Sequence, residues 1–242
     1  MPKGTNTVAV AIICKTPAAG KSKTRLCPPL RPDECAAISA CFIADLGRTI
    51  AGLRHPATRP YAVYTPAGTE AELLRLLPAF SLTLQGEGDL GARLHKGIGD
   101  LLAAGHAGAI LISSDSPTLP PAILEAAVEA VLGGDRMVIV PAFDGGYTLI
   151  GLSSAHAPLF EGMEWSTETV FDRTMERAAG IGLPTVVLDM WYDVDDAQSY
   201  ALLEAEFEGQ APGFAQPGVP PHDAPATRRF VEHRRSHAMA AQ

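Results

Sequence analysis

The feature that most constrains this chain is an alternation that begins close to its first residue. Short runs of β-branched and aliphatic residues, bounded by turn formers, are each followed by a stretch with helical character. Thr7–Cys14 (TVAVAIIC) is the first such run. Ala109-Ile110-Leu111-Ile112 is another, and it leads directly into Ser113-Ser114-Asp115-Ser116-Pro117. Continuous apolar runs of this length suit inner strands of a parallel sheet covered on both faces. Strands alternating with helices predict an α/β fold with a mostly parallel sheet.

Further strands are expected at Tyr61–Thr65, Ser81–Gln85, Arg136–Pro141, Tyr147–Leu152 and Thr185–Leu188. Helices are expected from Pro32 or Asp33 to about Leu53, over Gly68–Leu77, from Leu90 past Leu101, over Pro121–Leu132, around Thr167–Ala179, and after Asp196 to about Phe207. The strands on either side of Asp144-Gly145-Gly146 are too close for a helical crossover. One antiparallel element is therefore expected in an otherwise parallel sheet. From Gly209 the chain turns to Pro, Gly, Ala, His and Arg without clear periodicity. Residues 1–208 read as one domain and 209–242 as a mobile tail, with a short helix near Arg228–Arg235.

The 242 residues, 47% hydrophobic and 19% charged, match a globular protein with a substantial core. No apolar run is long enough to span a membrane, and Met1–Thr7 carries no secretory core, so the cytoplasm is the expected compartment. Cys14, Cys27, Cys35 and Cys41 form no C-x-x-C pair and read as free thiols. A net charge of −8 argues against a nucleic-acid partner. The tail has four arginines against Asp223 and Glu232, so the body before it is more acidic still. Any basic cluster in that body is conspicuous.

One such cluster follows the first strand: Lys15-Thr16-Pro17-Ala18-Ala19-Gly20-Lys21-Ser22-Lys23-Thr24-Arg25-Leu26. Cations and backbone N–H groups at this place suit a polyphosphate, and a solvated loop is the plainer alternative. Gly20-Lys21-Ser22 looks like the end of a Walker A motif. That motif needs a glycine five positions earlier, where Lys15 stands, so a P-loop is excluded.

Asp115 lies just beyond a strand end, where open α/β sheets bind ligands, and capping of the next helix is the competing role. Asp193 and Asp195 follow the last strand. Magnesium favours one or two such carboxylates with phosphate and water, whereas helix capping is the alternative for this cluster too. Asp144-Gly145-Gly146 is a good hairpin turn, and its glycines also permit close approach of a substrate. Trp165-Ser166-Thr167-Glu168 reads as a helix start, capped by Ser166 or Thr167.

In this order, several segments resemble a known family. They are Lys15-Thr16-Pro17 with Gly20 and Lys23-Thr24-Arg25-Leu26; Gln85 with Asp89-Leu90-Gly91-x-Arg93; Ser114-Asp115-Ser116-Pro117; Asp144-Gly145-Gly146-Tyr147 with Gly151; Trp165-Ser166-Thr167; and Asp193-Val194-Asp195. From about Val8 to Leu203 the chain resembles the bacterial GT-A-type glycosyltransferases, one branch of which is assigned to arsenosugar biosynthesis. The resemblance implies the three-layer, Rossmann-like, mixed but mostly parallel sheet of the nucleotide-diphospho-sugar transferase superfamily. It further implies that Lys15, Gly20, Lys23 and Arg25 line the nucleotide and its phosphates, and that Gln85 to Gly91 approaches the base. Asp115 would hold a divalent metal, Mg2+ or Mn2+, with Asp193 and Asp195 as further candidates. Ser113 stands where the longer Asp-x-Asp motif of that superfamily has its first aspartate.

The expected activity is metal-assisted transfer of a sugar from a nucleotide-diphosphate sugar to a small acceptor, with Asp144 as the candidate base and Gly145 and Gly146 beside the substrate. Lys23-Thr24-Arg25-Leu26 is also similar to the corresponding loop of phospholactate guanylyltransferases. Nucleotidyl transfer with release of pyrophosphate is therefore the alternative, and a non-catalytic nucleotide-binding domain a third.

Overall fold

The structure, a computed structural model, describes residues 5–240. Seven strands form one sheet: β1 (Thr5–Lys15), β2 (Thr58–Thr65), β3 (Ser81–Leu84), β4 (His106–Ser113), β5 (Met137–Pro141), β6 (Tyr147–Leu152) and β7 (Thr185–Val187). Their order is β3-β2-β1-β4-β6-β5-β7. All neighbouring pairs are parallel except β4–β6 and β5–β6, so β6 is the single reversed strand that the short Asp144-Gly145-Gly146 connection requires. Val8–Ile12 and Ala109–Ile112 are almost fully buried, in keeping with their continuous apolar runs at the sheet centre.

Among the described residues, five α-helices connect strands, α1 (Pro32–Ala51), α2 (Glu70–Leu76), α3 (Leu90–Ala103), α4 (Pro121–Leu132) and α5 (Val170–Gly180), and two follow the last strand, α6 (Ala197–Phe207) and α7 (Pro225–Ala240). Strand residues alternate between two cores. Val8, Val10 and Ile12 face Ile38, Phe42 and Leu46 of α1, Leu124 and Val128 of α4, and Leu203 of α6. Ala9, Ala11, Leu111 and Ile150 face Leu94 and Ile98 of α3 and Ala178 of α5. The result is three layers. No helix among the described residues is long and apolar enough to cross a membrane.

The tail differs from its expectation. Instead of a mobile segment with one short helix, residues 225–240 form a 16-residue helix laid on α1. Ala224, Thr227 and Val231 are buried in this contact. The anchor is Asp45 of α1, fully buried, which accepts hydrogen bonds from the N–H groups of Ala226 (3.0 Å) and Thr227 (2.7 Å) and from Thr227 Oγ1 (2.7 Å). A carboxylate held by another helix thus caps the start of α7.

Candidate active site

Every candidate carboxylate lies at the carboxyl edge of the sheet. Asp115 follows β4 within two residues, and the competing role of helix cap falls away: Pro120 occupies the cap position of α4, with no side-chain cap bond. The Asp193 loop is tied to it by a hydrogen bond from Val194 N–H to the Asp115 carbonyl, 2.8 Å. Asp196 caps α6 through a 2.8 Å bond from Ser199 N–H. That leaves Asp193 and Asp195 free of capping duty.

Lys23 joins these groups from below. Its Nζ lies 2.7 Å from Asp115 Oδ2, 2.7 Å from Asp195 Oδ1 and 2.8 Å from the Val194 carbonyl, and the side chain is only 7% exposed. Burial works to lower the lysine pKa, but the Asp115 and Asp195 charges prevail and raise it. The same ammonium, with Arg25, holds Asp195 below the ordinary carboxylate range against its own desolvation. Asp193 has no such partner and accepts a hydrogen bond from Ser116 Oγ. Burial, then the charges of Asp115 and Asp195, push its carboxyl up to about 8.

This geometry separates Lys23 from Arg25. Lys23 has a left-handed backbone (φ 49°) and precedes a short 3-10 turn, Thr24–Leu26. Residues two apart in such a turn point in different directions. Lys23 therefore goes inward to the carboxylates, whereas Arg25 stays exposed. A non-glycine residue in this conformation costs about 1–3 kcal/mol and persists where other contacts determine it, here the two ion pairs.

Three cavities meet around the cluster. The first, about 480 Å³, runs from Lys15, Arg25, Asp115, Asp193 and Asp195 down the α3 side of the sheet to Leu94, Leu111 and Ile150. A second, about 780 Å³, lies on the far side of Asp193 and Asp195. A smaller cleft of about 260 Å³ runs from Asp115 along Lys15, Lys21, Lys23 and Arg25. Arg25 and Asp195 border all three.

The remaining sequence candidates divide. Gln85 borders the first cavity, with its amide nitrogen donating to the carbonyls of Cys14 (2.8 Å) and Val63 (3.2 Å), so the carbonyl oxygen is what it offers a ligand. Asp144 is exposed, borders the first two cavities, and accepts from Gly146 N–H at 3.0 Å. Gly146 lines the first cavity, whereas Gly145, Gly91 and Gly20 line none of the three.

Gly145 has φ 88°, and a Cβ there would come within 2.1 Å of the Glu168 carbonyl, so its role is to let two loops pass. Gly91 is buried beneath Trp165 and Phe160, where a Cβ would meet the Phe160 carbonyl at 2.5 Å. It is a packing position. Exposed Gly20 makes a turn at φ 70°.

Several cavity residues were given no site role from the sequence. The Tyr147 and Thr148 hydroxyls are buried without a hydrogen-bond partner, and both residues line the first cavity. Two buried orphan hydroxyls in one cavity are uncommon in a folded interior. Trp165, Ser166 and Thr167 line it as well. The expected capping by Ser166 or Thr167 is not what forms: α5 begins only at Val170, Thr167 Oγ1 bonds the Glu164 carbonyl (3.0 Å), and Ser166 takes a left-handed φ of 64°. Cys14, also in the lining, has its thiol pushed up to about 12 by burial and by Asp115. Burial and a raised pKa make a thiol a poor nucleophile.

Among the described residues no three His, Cys, Asp or Glu side chains are placed to close around a metal ion. Magnesium or manganese needs fewer. One or two carboxylates suffice when phosphates and water complete the shell. Two of the three clustered carboxylates, Asp115 and Asp195, share one buried ammonium, and Asp193 borders the cavity without a cation of its own. Asp115 and Asp193 are the carboxylates of this cluster that could join such a shell.

The fold and the site at its carboxyl edge define the class: this is the nucleotide-diphospho-sugar transferase fold. A candidate nucleotide-diphospho-sugar transferase from Desulfovibrio desulfuricans G20 superposes with a TM-score of 0.79 at 25% identity, covering 95% of each chain. More distant likenesses show the fold alone. A 4-diphosphocytidyl-2C-methyl-D-erythritol synthase from Anaerococcus prevotii DSM 20548 has a TM-score of 0.55 at 9% identity, covering 84% of this chain and 97% of its own. A nucleotidyl transfer enzyme from Methanothermobacter thermautotroptrophicus has a TM-score of 0.52 at 16% identity, covering 85% and 100%. By sequence, residues 49–167 match a family described as "Uncharacterized protein conserved in bacteria (DUF2064)". No curated protein matches the chain by sequence.

Proposed function

We propose that this protein transfers a sugar from a nucleotide-diphosphate sugar to a small acceptor. The observation that carries the proposal is the meeting of Lys15 and Arg25 with Asp115, Asp193 and Asp195 at one mouth of the first cavity. Cations hold the diphosphate oxygens there. The nucleoside extends toward Gln85 and α3, and the sugar toward the orphan hydroxyls of Tyr147 and Thr148. Asp115 and Asp193 would hold Mg2+ or Mn2+, which when bound would neutralise charge on the leaving diphosphate. Arg25 steadies the same developing charge with its planar fork. Asp144, at the border of the first two cavities, takes the proton from the acceptor hydroxyl.

Nucleotidyl transfer is the second reading, and one observation favours it. The basic cleft beyond Asp115, lined by Lys15, Lys21, Lys23 and Arg25, offers room for further phosphates than a sugar nucleotide carries. The products separate the two: a nucleoside diphosphate in the first case, pyrophosphate in the second.

The test is calorimetric titration of wild type and Arg25→Ala with nucleosides and their diphosphates, with and without magnesium. Charge-assisted hydrogen bonds contribute roughly 1.5–3 kcal/mol each. Diphosphate affinity should fall at least about tenfold while nucleoside affinity holds. Equal losses for both would make Arg25 a structural residue and end the phosphate assignment.

A further inference from the structure

The second cavity is not needed for the nucleotide. Its apolar walls are Phe143, Tyr192, Leu202 and Phe214; Asp196, Gln198 and Ser199 add polar lining, and Arg25, Asp144, Asp193 and Asp195 stand along the border shared with the first cavity. At about 780 Å³ it has the size and largely apolar lining of a small-molecule site. Phe143 is 61% exposed, although an apolar ring of this size is ordinarily buried. It lies against Phe214 with ring centroids 5.4 Å apart, and Phe214 in turn meets Tyr192 at 5.9 Å and Trp191 at 6.0 Å. The aromatic wall therefore stands immediately beside the carboxylates, one residue from Asp144.

The wall is held in place from both sides. Phe143 N–H donates to the Trp191 carbonyl at 3.1 Å, fixing the Asp144 loop to the loop that carries Asp193. Phe214 belongs to the connection between α6 and α7, whose later part is pinned by His222 N–H to the Thr118 carbonyl (3.0 Å) and by the cap on Asp45. The docked tail thus supplies one side of this cavity.

We infer that the second cavity is the acceptor site, and that the acceptor is a small molecule with an apolar ring or chain bearing a hydroxyl group. The inference rests on the transferase reading for its chemistry, and on the two-cavity geometry for its location. Donor and acceptor enter from opposite sides of the carboxylate border, as a displacement at one carbon requires. The acceptor oxygen forms a bond to the sugar carbon, and the bond from that carbon to the phosphate oxygen breaks. The hydroxyl proton passes to the Asp144 carboxylate, and the nucleoside diphosphate leaves with the electron pair. Apolar surface predominates over the polar lining from Asp196, Gln198 and Ser199, so a polyol gains less there than an apolar ring or chain.

Benzyl alcohol and glycerol serve as probes in saturation-transfer NMR on the full chain. The variants are Leu202→Trp, which fills the cavity, and Phe214→Ala, which removes a wall. Nucleoside diphosphate binding is followed in parallel by calorimetry. Benzyl alcohol should bind saturably, at least about tenfold more weakly to each variant, and glycerol should give no saturable signal. Leu202→Trp should leave diphosphate affinity within about twofold. Absence of benzyl alcohol binding, or equal binding by wild type and both variants, overturns the inference. If benzyl alcohol binds as expected but no nucleoside diphosphate binds wild type, the apolar site stands and the transferase reading falls.

Discussion

Replacing Asp45 by alanine tests whether the tail belongs to the folded unit. In the structure its carboxylate takes three hydrogen bonds from the start of α7, at 2.7–3.0 Å, and a fourth from Arg48 at 2.6 Å. Asp45 is fully buried, whereas Arg48 is half exposed and its share is screened. Each bond to a charged acceptor contributes roughly 1.5–3 kcal/mol, but the three from α7 are not additive. Breaking a buried charged network by removing one partner costs about 3–5 kcal/mol. The upper end is not reached here, because α7 can leave α1 and return its N–H groups to water. We expect a loss of about 3 kcal/mol, which lowers the melting temperature of a chain this size by about 6–12 °C. Asp45→Asn retains a carbonyl acceptor and should recover part of the loss. Trypsin, which cuts after Arg228 and Arg229, should cleave Asp45→Ala far faster than wild type under native conditions. A shift below about 2 °C with unchanged cleavage at these arginines would refute the anchoring role.

Three further outcomes are expected. Glu206, buried between Thr118 and Tyr192, has its carboxyl pushed above the usual range by desolvation, which outweighs the hydrogen bonds it accepts. A raised folded pKa contributes stability below the unfolded value, and that stability is lost as pH rises through the folded one. The stability of Glu206→Gln relative to wild type should therefore rise with pH from about 4.5 upward, in denaturant melts across the range. Thr148→Val removes a hydroxyl buried without a partner, so it should keep or raise stability by about 1 kcal/mol in urea melts while weakening binding of a sugar nucleotide. Gly145→Ala forces a Cβ onto the Glu168 carbonyl at a positive φ; it should cost more than about 2 kcal/mol and displace Asp144, seen as a lowered melting point together with lost turnover.

The central sheet was legible because strands buried on both faces leave unbroken apolar runs. The reversed strand was legible because Asp144-Gly145-Gly146 is too short to cross over. The tail was not, for a physical reason. Its helix packs on the body through few apolar residues, Val231 and the partly buried Phe230, with Ala224 just before it, and is secured by a carboxylate 182 positions away from Thr227. No periodicity within residues 209–242 encodes that partner. Gly91 and the Trp165 segment mislead in a related way. Gly91 is expected near the base only through the family resemblance, and the fold shows that Trp165 and Phe160 occupy the space beside it.

The basic loop shows where a sequence reading of charge stops. Four cations in an acidic body read as a phosphate site or as a solvated loop, and charge carries no direction. The short turn at Thr24–Leu26 sends Lys23 inward, and there it does what a solvated lysine cannot: it lets Asp115 and Asp195 approach one point within 2.7 Å of its Nζ. Without a fixed cation, three carboxylates at this spacing would repel one another and take up protons. With one, Asp195 is held below the ordinary carboxylate range, while Lys15, Lys21 and Arg25 remain exposed. Lys23 therefore belongs with the carboxylates, and the other three cations stay on the exposed side of the loop. A loop read as one phosphate clamp is two devices, divided by the backbone conformation of a single residue.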